Sequence, residues 1–189
     1  MAFNINSFIS TMAADGFRPN LFEISFTDAG GTLNSSFSVR AKASSIPAST
    51  IGTASTFYFG RQAKFAGNRV FSDWTVTVLM DEGDFVGGVA AGPRAKLEQW
   101  SSSLNSHVGN KRDGNSIAPA ALVGGYQKDA DVILYGKDGV AITTYKMENC
   151  FPIDIGAVNL DWQANDTIAE FQVTFALNFW TRVGVTDIA

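Results

Sequence analysis

Near the C-terminal end, one segment leaves little choice of fold. Ala169, Phe171, Val173, Phe175, Leu177 and Phe179 alternate with Glu170, Gln172, Thr174, Ala176, Asn178 and Trp180. Successive side chains on a strand point to opposite faces, so a period of two gives a strand with one apolar face. A helix would spread the same residues around its axis. A strand of this kind must pair with neighbours and have its apolar face covered. The chain therefore has to build a sheet with a core on at least one side.

Other segments supply the partners. Asn20–Thr27 reads as a strand around Leu21, Phe22, Ile24 and Phe26, after the break at Arg18-Pro19. In Phe37–Ala43, Phe37, Val39, Ala41 and Ala43 alternate with Ser38, Arg40 and Lys42, a half-buried strand with a basic outer face. Phe57–Phe65, Asp73–Met80 and Ile155–Trp162 read as further strands, with a turn at Gly67-Asn68. Ala130–Tyr135 and Val140–Met147 flank Gly136-Lys137-Asp138-Gly139, a hairpin turn. Between Ser44 and Thr56 the chain is rich in Ser, Thr, Ala and Gly and reads as a long loop. Loops of this length without secondary structure are often functional.

Helical spacing occurs in two places. Leu97, Trp100, Ser101 and Leu104 form a stripe after Pro93, which suits a first helical turn and follows Gly92 as cap, giving a helix over 93–105. Phe8, Ile9, Met12 and Ala13 share a face in a short helix over Ser7–Asp15, inside an N-terminal segment 1–17 that Gly16 can end. The expectation is one domain over 1–189, mainly β. It is a β-barrel or sandwich of about eight strands with one flanking helix, closed by a tail over 181–189.

Composition narrows the function. The net charge is -4 and the pI about 4.9, without the basic footprint of a protein that grips nucleic acid. The start of the chain lacks a basic n-region, and the sequence holds no apolar run long enough to cross a bilayer, so no membrane anchor is expected. The triplets at Asn34 and Asn165 match the glycosylation pattern, but without a secretory route they read as chance matches.

Catalytic equipment leaves little trace. His107 is the single histidine, in a polar stretch after the helix, which excludes histidine pairs and His-rich zinc sites. Cys150 is the single cysteine and cannot form an internal disulfide. Beside Phe151 and without a basic neighbour in sequence, it reads as a small core residue rather than a reactive thiol. The glycines of 83–92 lack the ordered phosphate-binding fingerprint. Asp81, Glu82 and Asp84 lack calcium-loop spacing and read as a solvated strand end. Arg61, Lys64 and Arg69 interleave with Phe59, Phe65 and Phe71. That pattern fits either single-stranded nucleic-acid binding by stacking and charge or a sheet alternating between core and outer face, and the acidic balance favours the sheet. No cofactor, metal or catalytic residue is expected.

Five segments carry a family resemblance, in order along the chain. They are Arg18-Pro19-Asn20-Leu21-Phe22-Glu23-Ile24; Lys42-Ala43-Ser44-Ser45-Ile46-Pro47-Ala48; Gly60-Arg61 with Lys64 to Val78; Asn149-Cys150-Phe151-Pro152 with Leu160-Asp161-Trp162; and Phe171 to Trp180. Together they resemble the tail tube proteins of contractile-tailed bacteriophages over nearly the whole chain. The chain departs from that pattern by a longer insertion around Gly30–Ser36 and an extended tail after Trp180.

The resemblance implies a structural virion protein and not an enzyme. Such subunits form hexameric rings with a continuous inner β-barrel, stacked into a hollow tail tube assembled in the host cytoplasm. It also implies the partners: further copies of the chain, the tail sheath protein, baseplate and tail terminator proteins, and a tape-measure protein in the lumen, through which DNA passes without specific binding. Tube proteins of tailocins, extracellular contractile injection systems and type VI secretion systems share the implied architecture and are the alternative. Within this frame Ile46, Pro47, Ile51 and Thr56 are expected in ring stacking, and Arg40, Lys42, Arg61 and Lys64 on the lumen wall or at subunit contacts.

Overall fold

A computed structural model describes residues 5–12, 16–27, 37–38, 40–85, 92–112 and 125–184. Nine strands and two helices are delimited within them: α1 (Ile5–Thr11), β1 (Phe22–Thr27), β2 (Ala41–Ser44), β3 (Ser49–Tyr58), β4 (Arg61–Phe71), β5 (Trp74–Leu79), α2 (Pro93–Leu104), β6 (Lys128–Tyr135), β7 (Ala141–Ile155), β8 (Glu170–Ala176) and β9 (Phe179–Arg182). A short 3-10 turn covers Glu82–Phe85. The insertion at 30–36 and the tail beyond Gly184 lie outside the described residues.

Seven strands form one antiparallel sheet in the order β1-β6-β7-β8-β5-β2, with β9 also on β7. The long β7 joins its two halves. Residues up to Cys150 pair with β6 and β9, and Phe151–Ile155 pair with β8. The changeover falls at Asn149, which takes a positive φ of 59°. Asparagine tolerates that left-handed conformation better than most residues. The Asn149 N–H donates to the Asp129 carboxylate at 3.0 Å. That carboxylate also pairs with Lys146 at 3.1 Å.

The kink turns the two halves of the sheet face to face around an aromatic core. In one half, Trp74↔Phe175, Val76↔Val173 and Val78↔Phe171 are cross-strand pairs, all buried on the same face. From the other half, Phe26 of β1 approaches Phe175 at 5.4 Å and Trp74 at 6.0 Å between ring centroids. α2 covers the opening with Leu97 and Trp100, and the Trp100 indole N–H donates to the Tyr126 carbonyl at 2.8 Å. The expected mainly-β architecture with a flanking helix is what the chain adopts. Among the described residues β1 and β2 end the sheet without pairing to each other, so the single chain is a curled sandwich and not a closed barrel.

Five sequence readings need correction. Phe37, Ser38 and Arg40 are helical, and the strand begins only at Ala41. Phe37 still reaches the core, with its ring edge-on to Phe26 at 5.0 Å. Burial of one large ring decided the backbone there, and the apparent alternation did not. The long loop expected over 44–56 is irregular only to Ala48; Ser49 begins a strand. The strand expected over Phe57–Phe65 straddles a turn, and Gly67-Asn68 lies within a strand instead of turning. Ile155 ends β7, and 156–169 is a loop.

In the alternating C-terminal segment Val173–Ala176 and Phe179–Arg182 pair with β7, and the segment breaks at Leu177-Asn178 into β8 and β9. The break lies beside the kink at Asn149, where the Asn178 N–H donates to the Glu148 carbonyl.

Candidate functional site

β3 and β4 form a separate two-stranded ribbon. Ten and eleven residues long, it extends roughly 30 Å at about 3.3 Å per residue. Nearly every residue in it is exposed. Its tip is a two-residue turn in which Phe59 and Gly60 have φ of 43° and 79°. Both values are positive, as the tight turns that match strand twist require, and glycine adopts them without a Cβ penalty.

The tip is aromatic. Phe57, Tyr58 and Phe59 are 72%, 72% and 89% exposed, and the Tyr58 and Phe59 rings meet edge-on at 4.5 Å. Lower in the ribbon Ile51, Phe65 and Val70 also face solvent.

A bulge divides the ribbon. Ile51 pairs with Arg69 and Thr53 with Ala66, so Gly52 opposes two residues, Gly67 and Asn68. A Cβ on Gly67 would stand 3.0 Å from the Gly52 carbonyl carbon and oxygen. The two backbones approach this closely because Gly67 lacks a side chain. A bulge raises local twist and re-aims the outer part of a strand pair. The root is tied down: the Ser72 N–H donates to the Ala48 carbonyl at 3.0 Å, and Phe71 packs on Trp180 at 6.0 Å, which packs on Tyr145 at 5.6 Å.

The expected stacking residues divide along this ribbon. Ile51 and Thr56 are on it and exposed. Ile46 is 41% exposed at its irregular root, whereas Pro47 is buried there. The four expected basic residues do not form one patch. Arg40 reaches Asp84 at 2.5 Å and Asp81 at 3.2 Å, and Lys42 pairs with Glu170. Carboxylates thus balance both. Arg61 shares a face with Tyr58, while Lys64 lies with Ser55 and Phe57 on the opposite face. That arrangement offers no single groove in which charge and stacking would hold a nucleic-acid strand. Phe59 and Phe65 are exposed, so the ribbon does not alternate between core and surface either.

Sequence reasoning missed the Phe57-Tyr58-Phe59 tip and treated it as the start of a sheet strand. A signal was present: residues 29–72 contain no carboxylate, but do contain Arg40, Lys42, Arg61, Lys64 and Arg69.

A second exposed feature is the 156–169 loop, where Leu160, Trp162 and Ile168 are 88%, 99% and 68% exposed. It is held in shape locally by the Asp161 carboxylate, which accepts from the Gln163 N–H at 3.0 Å. α1 is a third: Ile5, Phe8 and Ile9 are all exposed.

Chemistry finds little to work with. A groove of about 340 Å³ between α2 and the end of β7 is lined by Arg94, Glu98, Ser101, His107 and Asp154. Arg94 is engaged there, donating to Glu98 and to the Gly156 carbonyl, both at 2.9 Å. No hydrogen bond joins Ser101 to His107. Cys150 is fully buried, and burial pushes its thiol pKa up to about 12, which removes it as a nucleophile. Among the described residues no cluster of His, Cys, Asp and Glu could hold a metal ion, and no helix is long and apolar enough to cross a membrane.

Residues 5–183 match the phage tail tube protein family. The chain belongs to this family. It is 32% identical over 169 residues to tail tube protein gp19 of Enterobacteria phage T4, covering 89% of this chain and 93% of that one. Identity and coverage are the same for gp19 of Enterobacteria phage T6.

The fold matches a chain of the sheath–tube complex of the PVC extracellular contractile injection system in its extended state. That match has a TM-score of 0.62 at 17% identity, over 95% of this chain and 97% of the other. A chain of the anti-feeding prophage tube-terminating cap matches with a TM-score of 0.61 at 17% identity, over 88% and 90%. These two likenesses establish the shared fold. The phage relatives establish homology to the tail tube protein of a contractile phage and place the chain in the tail of a virion.

Proposed function

We propose that this chain is a structural tail subunit that assembles as stacked hexameric rings, forming the conduit for DNA inside a contractile sheath. The observation that carries the reading is the β3–β4 ribbon. A two-stranded hairpin alone in water is marginal, and one with its aromatic and aliphatic side chains exposed gains stability only when something covers it. The exposed apolar faces of α1 and the 156–169 loop point the same way. A surface of this type, distributed over several unlike patches, suits heterologous contacts, which close into rings or run on as helical stacks.

The lumen wall is assigned to the outer face of β8, β5 and β2. It carries Thr75, Thr77, Gln172 and Thr174, with Lys42 balanced by Glu170. A wall of uncharged polar groups and neutralised pairs lets a polyanion slide without holding it. The free edges of β1 and β2 are then covered by neighbouring subunits, which would complete the inner barrel. Sheath, terminator and baseplate proteins are the external partners on this reading, with a tape-measure protein in the lumen. Assembly would take place in the host cytoplasm. Tubes of other contractile injection machines share the fold, but the 32% identity to phage tail tubes favours the virion.

Negative-stain electron microscopy of the purified chain, alone and with tail baseplates, tests this. Hollow tubes with six-fold end views are expected. Excision of residues 50–70 should leave a folded subunit that adds to neither. Subunits that stay monomeric alone and on baseplates would overturn the reading, as would normal tubes from the excised chain.

A further inference from the structure

The hairpin leaves the body at one end of β5, and the 156–169 loop leaves at the other. Hairpin residues run between Ser44, which pairs with Val76, and Trp74, the first residue of β5. The loop runs between Ile155 and Glu170, which pairs with Leu79, the last residue of β5. Six residues of strand, roughly 17 Å, separate the two exits. The two exits thus lie at opposite ends of the same strand.

Their chemistry is complementary. The ribbon has Arg61, Lys64 and Arg69 and no carboxylate. The rest of the chain therefore holds 14 − 3 = 11 basic residues against 18 acidic ones, a charge of −7 against the ribbon's +3. Arg61 and Lys64 meet no carboxylate among the described residues, while Arg40, Lys42, Arg94 and Lys146 in the body are all paired. The loop is the converse: Asp161 and Asp166, with no Lys or Arg. Around it the same end of the molecule adds Glu82. Each surface also has exposed apolar side chains at its tip, the three aromatics on the ribbon and Leu160 and Trp162 on the loop.

Building on the tube reading, we infer that the aromatic, basic tip of the hairpin in one copy docks on the apolar, acidic 156–169 loop of the next copy in the stack. The contact is heterologous and head to tail, so repeating it builds an open stack rather than a closed pair. Apolar side chains at its centre give affinity, and the charges fix partner and direction. The bulge at Gly52 and Gly67 sets the angle at which the tip arrives.

Two variants with one added cysteine each test the contact. Cys150 is buried and silent, so Gln62→Cys at the tip and Gln163→Cys on the loop report without background. Mixed and treated with a short bismaleimide, the two should give a covalent dimer that neither gives alone. Reversing the hairpin charges (Arg61→Glu with Lys64→Glu) should lower the yield about tenfold or more. Adding Asp161→Lys with Asp166→Lys on the loop partner should restore it.

Tubes that assemble without the 62–163 cross-link would overturn this docking and leave the tube reading standing. A cross-link indifferent to charge reversal would overturn the pairing of charges. A chain that neither cross-links nor assembles, alone or on baseplates, would overturn both.

Discussion

Replacing Phe57, Tyr58 and Phe59 together by Ser should separate assembly from folding. The three side chains are 72%, 72% and 89% exposed in the single subunit, so the fold draws almost nothing from them. Surface substitutions of this kind shift stability by under about 0.5 kcal/mol, or about 2 °C in Tm for a chain of this size. Docked against a neighbour, each ring would be worth about 1.5–3 kcal/mol if fully buried. Binding returns only part of such a sum. For three rings that is about 4.5–9 kcal/mol, and about half of it gives roughly 2–4.5 kcal/mol per contact, or about 30- to 2,000-fold in the association constant.

The assay pairs thermal unfolding of the dispersed subunit with sedimentation and electron microscopy over a concentration series. Expected is an unchanged Tm and a critical concentration for tubes raised by at least about 30-fold. Tubes forming at the wild-type concentration would refute the reasoning. So would a Tm lowered by ~10 °C, which would mean that the tip already packs within its own subunit.

Three further outcomes follow from the body of the fold. Phe26→Ala removes the ring that joins the two halves of the sheet and should cost about 3–5 kcal/mol by chemical denaturation. The Tyr135 hydroxyl at 2.6 Å and the Ser38 hydroxyl at 2.9 Å donate to Glu23 and hold its carboxyl below the ordinary range. A lowered pKa contributes stability above the ordinary Glu value that is lost as pH falls through the lowered one. Tyr135→Phe should therefore narrow the stability gap between neutral and acid pH, read as the denaturation midpoint against pH. Cys150, with its thiol pushed up to about 12, should resist thiol reagents in the folded subunit and react on unfolding. Its raised pKa contributes stability below the unfolded value of about 8.5 that is lost as pH rises toward 12.

Strands that face a core on one side were legible wherever the alternation was carried by large side chains. Trp74, Val76 and Val78, like Phe171, Val173 and Phe175, sit on the faces their spacing assigns, and the Leu97/Trp100 stripe of α2 packs as its period of 3.6 predicts. The β3–β4 ribbon was not legible for the same reason. It has no core of its own, so its sequence of Ser, Thr, Ala and Gly is under no demand to alternate. The break between β8 and β9 was equally hidden, because the kink in β7 that imposes it lies some thirty residues earlier in the chain.

The sequence by itself determined the class of the protein: a mainly-β subunit, a helix to cover its core, and family membership. These follow from side-chain size and period, which are local properties. Only the tertiary structure decided that the hairpin and the 156–169 loop leave opposite ends of β5, that Arg61 and Lys64 face opposite ways, and that Arg40 and Lys42 are already matched by Asp84 and Glu170. Direction and charge balance depend on which strands are neighbours. Strand order is set by long-range burial around Phe26, Trp74 and Phe175, and no window of adjacent residues contains it.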